Sequence, residues 1–404
     1  MKEKKILFLK KSRLALYFVL LFLSLSPSNQ IDAKVSIQNI KNMTDEEDEI
    51  KKLKLIAVGD NLIHSSVYKN GKKNGIYNFD SFFENVKDEL EWADIKVINQ
   101  ETILVKNEND YSGYPRFGSP YEIGDAIAKA GFNVVLHATN HSYDKGLKGL
   151  KETFSFWDQY KDQVTVLGIH KDNEDYNKIK IIEVNGIKVA LLNYTYGLNG
   201  LSLPKDKQYL VDTLYDKDKV IKDITKAEKL GDITIVFPHW GQEYVYDENK
   251  YQKDYAYAMA EAGADLIIGT HPHVLQPLKY IETKDQRTVP VYYSLGNFIS
   301  AQNKDPRMLG GMAKVIITDN NGQITLDCKI EPIVTHFEPK KPYTAYMLKD
   351  YTDDLGTKHK QGLTLDYLYN LYNDIVEDKD KLEQNVYKKR VNKPKFRKPY
   401  KWTV

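Results

Sequence analysis

Residues 269–278 read GTHPHVLQPL, with His271 and His273 two apart and a proline between them, directly after the apolar, strand-like run ADLIIG (264–269). Neutral imidazole is a common metal ligand, so a buried strand that ends by presenting two of them is a candidate metal position. Four other apolar runs end in comparable residues: IAVGD at Asp60, VINQE at Glu101, VVLHATNH at Asn140 and His141, and IVFPHW at His239. Taken singly, each is an ordinary turn or capping residue. The set is another matter, because the chain has nine histidines and four of them, His141, His239, His271 and His273, fall within it. Carboxylate, amide and imidazole together form an N/O donor set suited to Zn²⁺, Mn²⁺ or Fe and poor for Cu(I).

Residues this far apart in sequence meet only if the fold collects strand ends. From Leu53 to about Pro339 the chain alternates apolar runs with amphipathic ones. LKLIAVGD (53–60), DIKVINQE (94–101), FNVVLHATNH (132–141), DITIVFPHW (232–240) and ADLIIG read as strands. Helical spacing is expected over 81–93, 121–131, 146–160, 215–229 and 251–263. KIIEVNGIKVALLNYT (180–195) carries Asn185-Gly186 between two apolar runs, a strong hairpin signal. Further β structure is expected over 287–299, and a second hairpin over 313–330. The alternation indicates an α/β fold with mixed sheets, and such sheets gather ligands beyond the carboxyl ends of their strands.

Composition is that of a globular protein, 42% hydrophobic and 12% aromatic in 404 residues, and the net charge of +2 selects neither nucleic acid nor membrane. A single cysteine, Cys328, excludes a disulfide scaffold and a cysteine-based zinc knuckle. The first residues are basic and lead into LALYFVLLFLSLS (14–26), the length of a signal-peptide apolar region and short of the roughly 20 residues a membrane span needs. Residues 1–33 are therefore expected to export the chain, as a cleaved signal peptide ending near Ala33 or as a retained anchor, with 34–52 a charged linker. The 53–339 segment is expected to be the main domain. Residues 340–404 are expected to form a separate extension, a Tyr-rich helix over 364–387 followed by a basic tail. That tail interleaves Phe396, Tyr400 and Trp402 with eight Lys and Arg residues, a composition suited to an anionic envelope polymer or membrane surface.

The motifs AVGDNLIH, NQET, ATNHSYDKG, PHWGQEY, GTHPHVLQPL and YSLGNFI occur in the order found in the CapA family of poly-γ-glutamate capsule synthesis proteins, and the chain resembles that family over about residues 53–300. The family in turn is similar to calcineurin-type metallophosphoesterases. This resemblance implies a four-layer α-β-β-α sandwich of metallo-dependent phosphatase type with metal at the strand ends. It implies that Asp60, Glu101, Asn140, His239, His271 and His273 are the metal ligands, and that His141 assists the leaving group. Two positions depart from the metallophosphoesterase pattern. Leu62 stands where a histidine is usual and Glu101 where an aspartate is, while His64 lies nearby at a different spacing.

Three further residues are candidate substrate contacts, each with an ordinary alternative. Arg116 in YPRFGSP could meet an anionic substrate or lie on a surface loop. Glu243 could bind substrate, orient His239 or be a solvated loop carboxylate, and Asn297 could contact substrate or form a turn. The resemblance implies an exported protein acting in synthesis, export or attachment of poly-γ-glutamate, with membrane-bound capsule synthase subunits as partners and a divalent metal as cofactor. A free-standing extracellular metallophosphoesterase acting on a phosphoester, and a non-catalytic polymer-binding protein with a degraded site, are the rival readings.

Overall fold

The computed structural model describes residues 50–302 and 304–376. The expected export segment, most of the charged linker and the basic tail lie outside the described residues.

The chain enters a first sheet with β1 (Ile50–Asn61), β2 (Ile95–Asn99), β3 (Val134–Leu136) and β4 (Thr165–Leu167). It crosses to a second sheet for β5 (Lys180–Val184), β6 (Ile187–Thr195), β7 (Ile233–His239), β8 (Leu266–Ile268), β9 (Leu278–Glu282) and β10 (Thr288–Tyr292). It returns to the first with β11 (Asn297–Ile299), β12 (Leu309–Asn320), β13 (Gln323–His336) and β14 (Thr344–Met347). The first sheet runs β14-β13-β12-β1-β2-β3-β4, with β11 paired to β1, and the second runs β9-β10-β8-β7-β6-β5. The pairs β1–β2, β2–β3, β6–β7 and β7–β8 are parallel, whereas β5–β6, β9–β10 and β12–β13 are antiparallel. Both expected hairpins form, on Asn185-Gly186 and on Asn321-Gly322, where all four residues take the positive φ that such turns require.

Strand alternation explains the layering. Along β1, Leu53, Leu55 and Ala57 point one way, into a core shared with Val189 and Leu191 of β6 and Ile233, Ile235 and Phe237 of β7. The intervening Ile56 and Val58 point the other way, against Leu90 of α1 (Lys87–Trp92), Ile123 and Ile127 of α2 (Tyr121–Lys129), and Phe156 of α3 (Gly146–Trp157). On the far side of the second sheet, Ala190, Leu192 and Val236 meet α4 (Lys217–Leu230) through Val220, Ile224 and Ala227, and α5 (Lys250–Ala262) through Ala256, Met259 and Ala260. The buried residues of α4, Val220, Ile224 and Ala227, fall at i, i+4 and i+7, one stripe of the helix. The result is a four-layer α-β-β-α sandwich with two mixed sheets at its centre.

Two expectations change. The 81–93 helix survives only as α1 over 87–92, because Asn85 bridges to Tyr346 of β14 and its amide donates to Thr344 (2.8 Å). Residues 340–376 do not stand apart. β14 pairs antiparallel with β13, Tyr343 stacks on Phe337, and Tyr372 of α6 (Leu365–Val376) donates to the Ile330 carbonyl at 2.8 Å. Among the described residues no helix is long and apolar enough to cross a membrane.

Beyond β4, His170 is 5% exposed and lies 2.6 Å from Asp212 and 3.6 Å from Asp175. Burial alone would lower its pKa, but the two carboxylates outweigh that and raise it to about 9. The folded value thus exceeds the unfolded one of about 6.5, so the pair's stabilisation is complete below about 6.5 and fades as pH rises through 9. His170→Gln is expected to lower the melting temperature more at pH 6 than at pH 10. An equal loss at both would contradict a charged His170.

Candidate metal centre

Each candidate ligand sits at or just past the carboxyl end of a parallel strand. Asp60 is the penultimate residue of β1 and His239 ends β7, whereas Glu101, Asn140, His271 and His273 lie in the loops after β2, β3 and β8. Three come from the first sheet and three from the second, so the sandwich must be tight here for them to meet. Asp60 is seated by the close parallel pairing of β1 with β11, where its amide donates to the carbonyl of Gly296, just before β11, at 2.8 Å. A Cβ on Gly59 would stand 1.9 Å from that carbonyl oxygen, so only glycine lets the strand reach this position.

All six side chains are buried, none more than 3% exposed. They form overlapping groups. Asp60, Glu101 and His273 offer ligand atoms within 4.8 Å of one another, and so do Glu101, His239 and His271. Glu101 belongs to both, the placement expected of a bridging carboxylate. Asn140 adds an amide oxygen 2.8 Å from His239 Nε2. Glu243 joins His271 and His273 in a third group.

The polar bookkeeping around Glu101 is the informative part. Both of its carboxylate oxygens are buried without a hydrogen-bond partner, and so is His271 Nδ1. His239 Nε2 and His273 Nε2 face Glu101 Oε1 at 3.7 Å each, outside hydrogen-bond range. Buried polar atoms are rarely left unpaired, and a carboxylate unpaired among imidazoles fits a divalent cation between them.

The surrounding contacts orient these donors. Thr270 Oγ1 lies 3.0 Å from His239 Nδ1, which turns Nε2 inward. Asn99 donates to Asp60 at 2.7 Å, and the His271 amide points at both Asp60 oxygens at 3.3 Å. Asp60 also lies 3.0 Å from His273 Nδ1. His271 and His273 have φ of 99° and 57°, a conformation that non-glycine residues seldom adopt outside sites that exploit it. Burial raises the Glu101 pKa well above the carboxylate range, with Asp60 adding to it. Burial lowers His239 and His271, and the neighbouring imidazoles push the same way. Neutral histidines are what metal ligation needs; at His273 burial pushes the same way, but Glu101 and Asp60 outweigh it and raise the pKa to about 9, so a cation there must displace its proton.

His141 stands beside these groups. Its Nδ1 lies 2.7 Å from Asp144 Oδ2, which also accepts from the Phe117 amide at 2.6 Å, and the Phe117 ring packs edge-on against the imidazole at 4.6 Å. These contacts engage Nδ1 and fix the ring. Asp144 was missed in the sequence, where its only mark is its place three residues after His141. Tyr196 and Asn199, on the loop after β6, were missed too. The Tyr196 ring lies 4.5 Å from that of His271, and Asn199 accepts from Asn140 at 3.2 Å.

The substrate candidates divide. Glu243 offers a carboxylate oxygen within 4.8 Å of nitrogens of His271 and His273. Arg116 is exposed, and among the described residues its side chain has no hydrogen bond or ion pair, although the next residue, Phe117, packs on His141. Asn297 is 1% exposed and fully engaged by the protein. Its carbonyl oxygen lies 3.1 Å from His273 Nδ1, and its amide donates to the His273 and Arg307 carbonyls at 3.2 and 3.0 Å. It holds His273 in place. His64 belongs to none of the ligand groups; burial lowers its pKa to about 4, and its ring packs against Phe117.

If a cation is what compensates Glu101, Glu101→Gln has opposite effects in its presence and absence. With Mn²⁺ or Zn²⁺ the variant is expected to hold less metal by elemental analysis and to melt lower than wild type. In excess chelator it is expected to melt higher, because burial without a hydrogen-bond partner disfavours the Glu101 carboxylate. Destabilisation of equal size in both conditions would mean an ordinary structural carboxylate.

The family of bacterial capsule synthesis proteins PGA_cap matches residues 54–302. The chain is 27% identical over 363 residues to capsule biosynthesis protein CapA of Bacillus anthracis, spanning 86% of this chain and 84% of that one. It is 32% identical over 248 residues to PGA biosynthesis protein CapA of Bacillus subtilis, spanning 61% and 62%. Among solved structures, NAD nucleotidase from Haemophilus influenzae aligns over 84% of this chain and 69% of its own at 13% identity, with a TM-score of 0.45. A hypothetical protein from Thermus thermophilus aligns over 69% and 99% at 13% identity, with a TM-score of 0.41. The matched segment takes in each strand end from Asp60 to His273, and the chain belongs to the bacterial capsule synthesis family PGA_cap.

Proposed function

We propose that the chain acts in capsule biosynthesis as an exported, metal-dependent protein that works on poly-γ-glutamate outside the cytoplasmic membrane, in its synthesis, export or attachment. The observation that carries this reading is the unpaired Glu101 carboxylate among His239, His271 and His273 in a chain of this family. Export rests on the basic and apolar N-terminal run, and membrane-bound synthase subunits are the partners that such a location implies.

Asp60, Glu101, Asn140, His239, His271 and His273 would hold the cation. A divalent metal bound there supplies a Lewis acid and a water acidic enough to act near neutral pH. The chain's own residues do the rest. Asp144 accepts the His141 Nδ1–H and fixes the ring, so that Nε2, when the ring is doubly protonated, can give its proton to the leaving group of an amide or ester in the polymer. Phe117 covers one edge of that ring and limits water around it. Thr270, Asn99 and Asn297 hold the donors in register, so little reorganisation is needed when substrate arrives.

Purified protein loaded with Mn²⁺ or Zn²⁺ is expected to bind poly-γ-glutamate and to cleave or transfer it. His141→Ala should retain metal and lose roughly 10²-fold or more of that turnover, the usual weight of a general acid. Turnover of phosphoesters with none of the polymer would favour the phosphoesterase reading. Loss of metal from His141→Ala as complete as from His271→Ala would overturn the role given to His141.

A further inference from the structure

A side-chain cation, Arg307, stands at the rim of the centre. Arg307 is partly buried in the turn before β12, and its guanidinium carbon lies 3.4 Å from the centre of the Tyr244 ring. Stacking holds a guanidinium flat while leaving its N–H fork free to bond in its own plane. Among the described residues no carboxylate pairs with Arg307, although Glu243 is adjacent to Tyr244 and Asp305 is in the same turn.

Both halves of this stack are fastened to the His271-Pro272-His273 turn. The Tyr244 amide donates to the Pro272 carbonyl at 2.8 Å, which holds Tyr244 at a φ of 67°. The Arg307 carbonyl accepts from Asn297, and the same Asn297 amide reaches the His273 carbonyl. Gln302 bonds the Tyr244 hydroxyl at 3.3 Å. The Tyr244 ring lies 6.0 Å from the ring of His273 but is 39% exposed, where His273 is 2% exposed. The stack therefore opens to solvent beside the ligands.

Charge explains why such a group belongs there. Asp60, Glu101, Asp144 and Glu243 converge on the centre, and an acidic substrate approaching them is repelled unless cations meet it. A guanidinium fork matches a planar oxyanion with two parallel hydrogen bonds. We infer that Arg307, stacked on Tyr244, binds a carboxylate of the acidic substrate beside the metal centre and so sets which stretch of polymer lies over it. This rests on the reading that the substrate is polyglutamate.

Titration calorimetry on Mn²⁺-loaded protein tests it, with a γ-linked glutamate decamer and inorganic phosphate as separate probes. Arg307→Gln should weaken decamer binding roughly tenfold or more and flatten its salt dependence, with metal content and melting temperature kept. Arg307→Lys, which keeps the charge without the fork, should recover only part of the affinity, and it carries the test if the Gln variant misfolds. Decamer affinity unchanged in both variants would overturn the inference while leaving the polyglutamate reading intact. If wild type binds phosphate but no decamer, the polyglutamate reading fails, and the carboxylate assignment with it. Wild type binding neither probe would overturn both.

Discussion

A carboxylate that is 1% exposed and accepts no hydrogen bond is expensive to keep, and Glu101 is in that position at the junction of two sheets. Removing an ion from water costs several kcal/mol in practice unless an opposite charge or a set of donors meets it. The Nε2 atoms of His239 and His273 stand 3.7 Å from Glu101 Oε1, too distant to hydrogen-bond yet well placed to share a cation. Much else in the molecule serves this point. The close pairing of β1 and β11 at Gly59 seats Asp60, and His271 and His273 both take positive φ. Thr270, Asn99 and Asn297 hold the donors still. Each is a local constraint with a cost of its own, and together they bring six donors from two sheets into one volume.

The layering makes that convergence affordable to the fold. Inner faces of both sheets supply one shared apolar core, and outer faces are covered by helices. The parallel strands all present their carboxyl ends at the same edge, so chemistry at that edge is decoupled from packing in the interior. Substitution of a loop residue such as Glu243 or Arg116 leaves the core intact, whereas a Cβ on Gly59 disturbs core and site together.

Strand-end residues were readable in sequence because apolar runs are conspicuous and polar residues at their ends stand out. The hairpins were readable because Asn-Gly turns have a local cause. What escaped reading depends on contacts between distant segments. The α1 helix is shortened by a bridge from Asn85 to Tyr346, and no local propensity announces that partner. Residues 340–376 join the first sheet because β13 has an open edge for β14, which pattern alone could not reveal. Asp144 became visible only once its carboxylate was seen against His141. Asn297 looked like a possible substrate contact, and the hydrogen bonds that occupy it come from His273 and Arg307. Arg307 itself sits outside every motif, and its relevance follows from a stack with Tyr244.

The central claim is that Glu101 is compensated by a cation shared with the histidines from the second sheet. Anomalous diffraction from crystals grown with Mn²⁺ or Zn²⁺ addresses it without reference to activity. The account predicts a strong peak between the Glu101 carboxylate and the nitrogens of His239, His271 or His273, at bond lengths of about 2.0–2.2 Å. Anomalous peaks confined to other parts of the protein, with Glu101 hydrogen-bonded to protein groups alone, would contradict it.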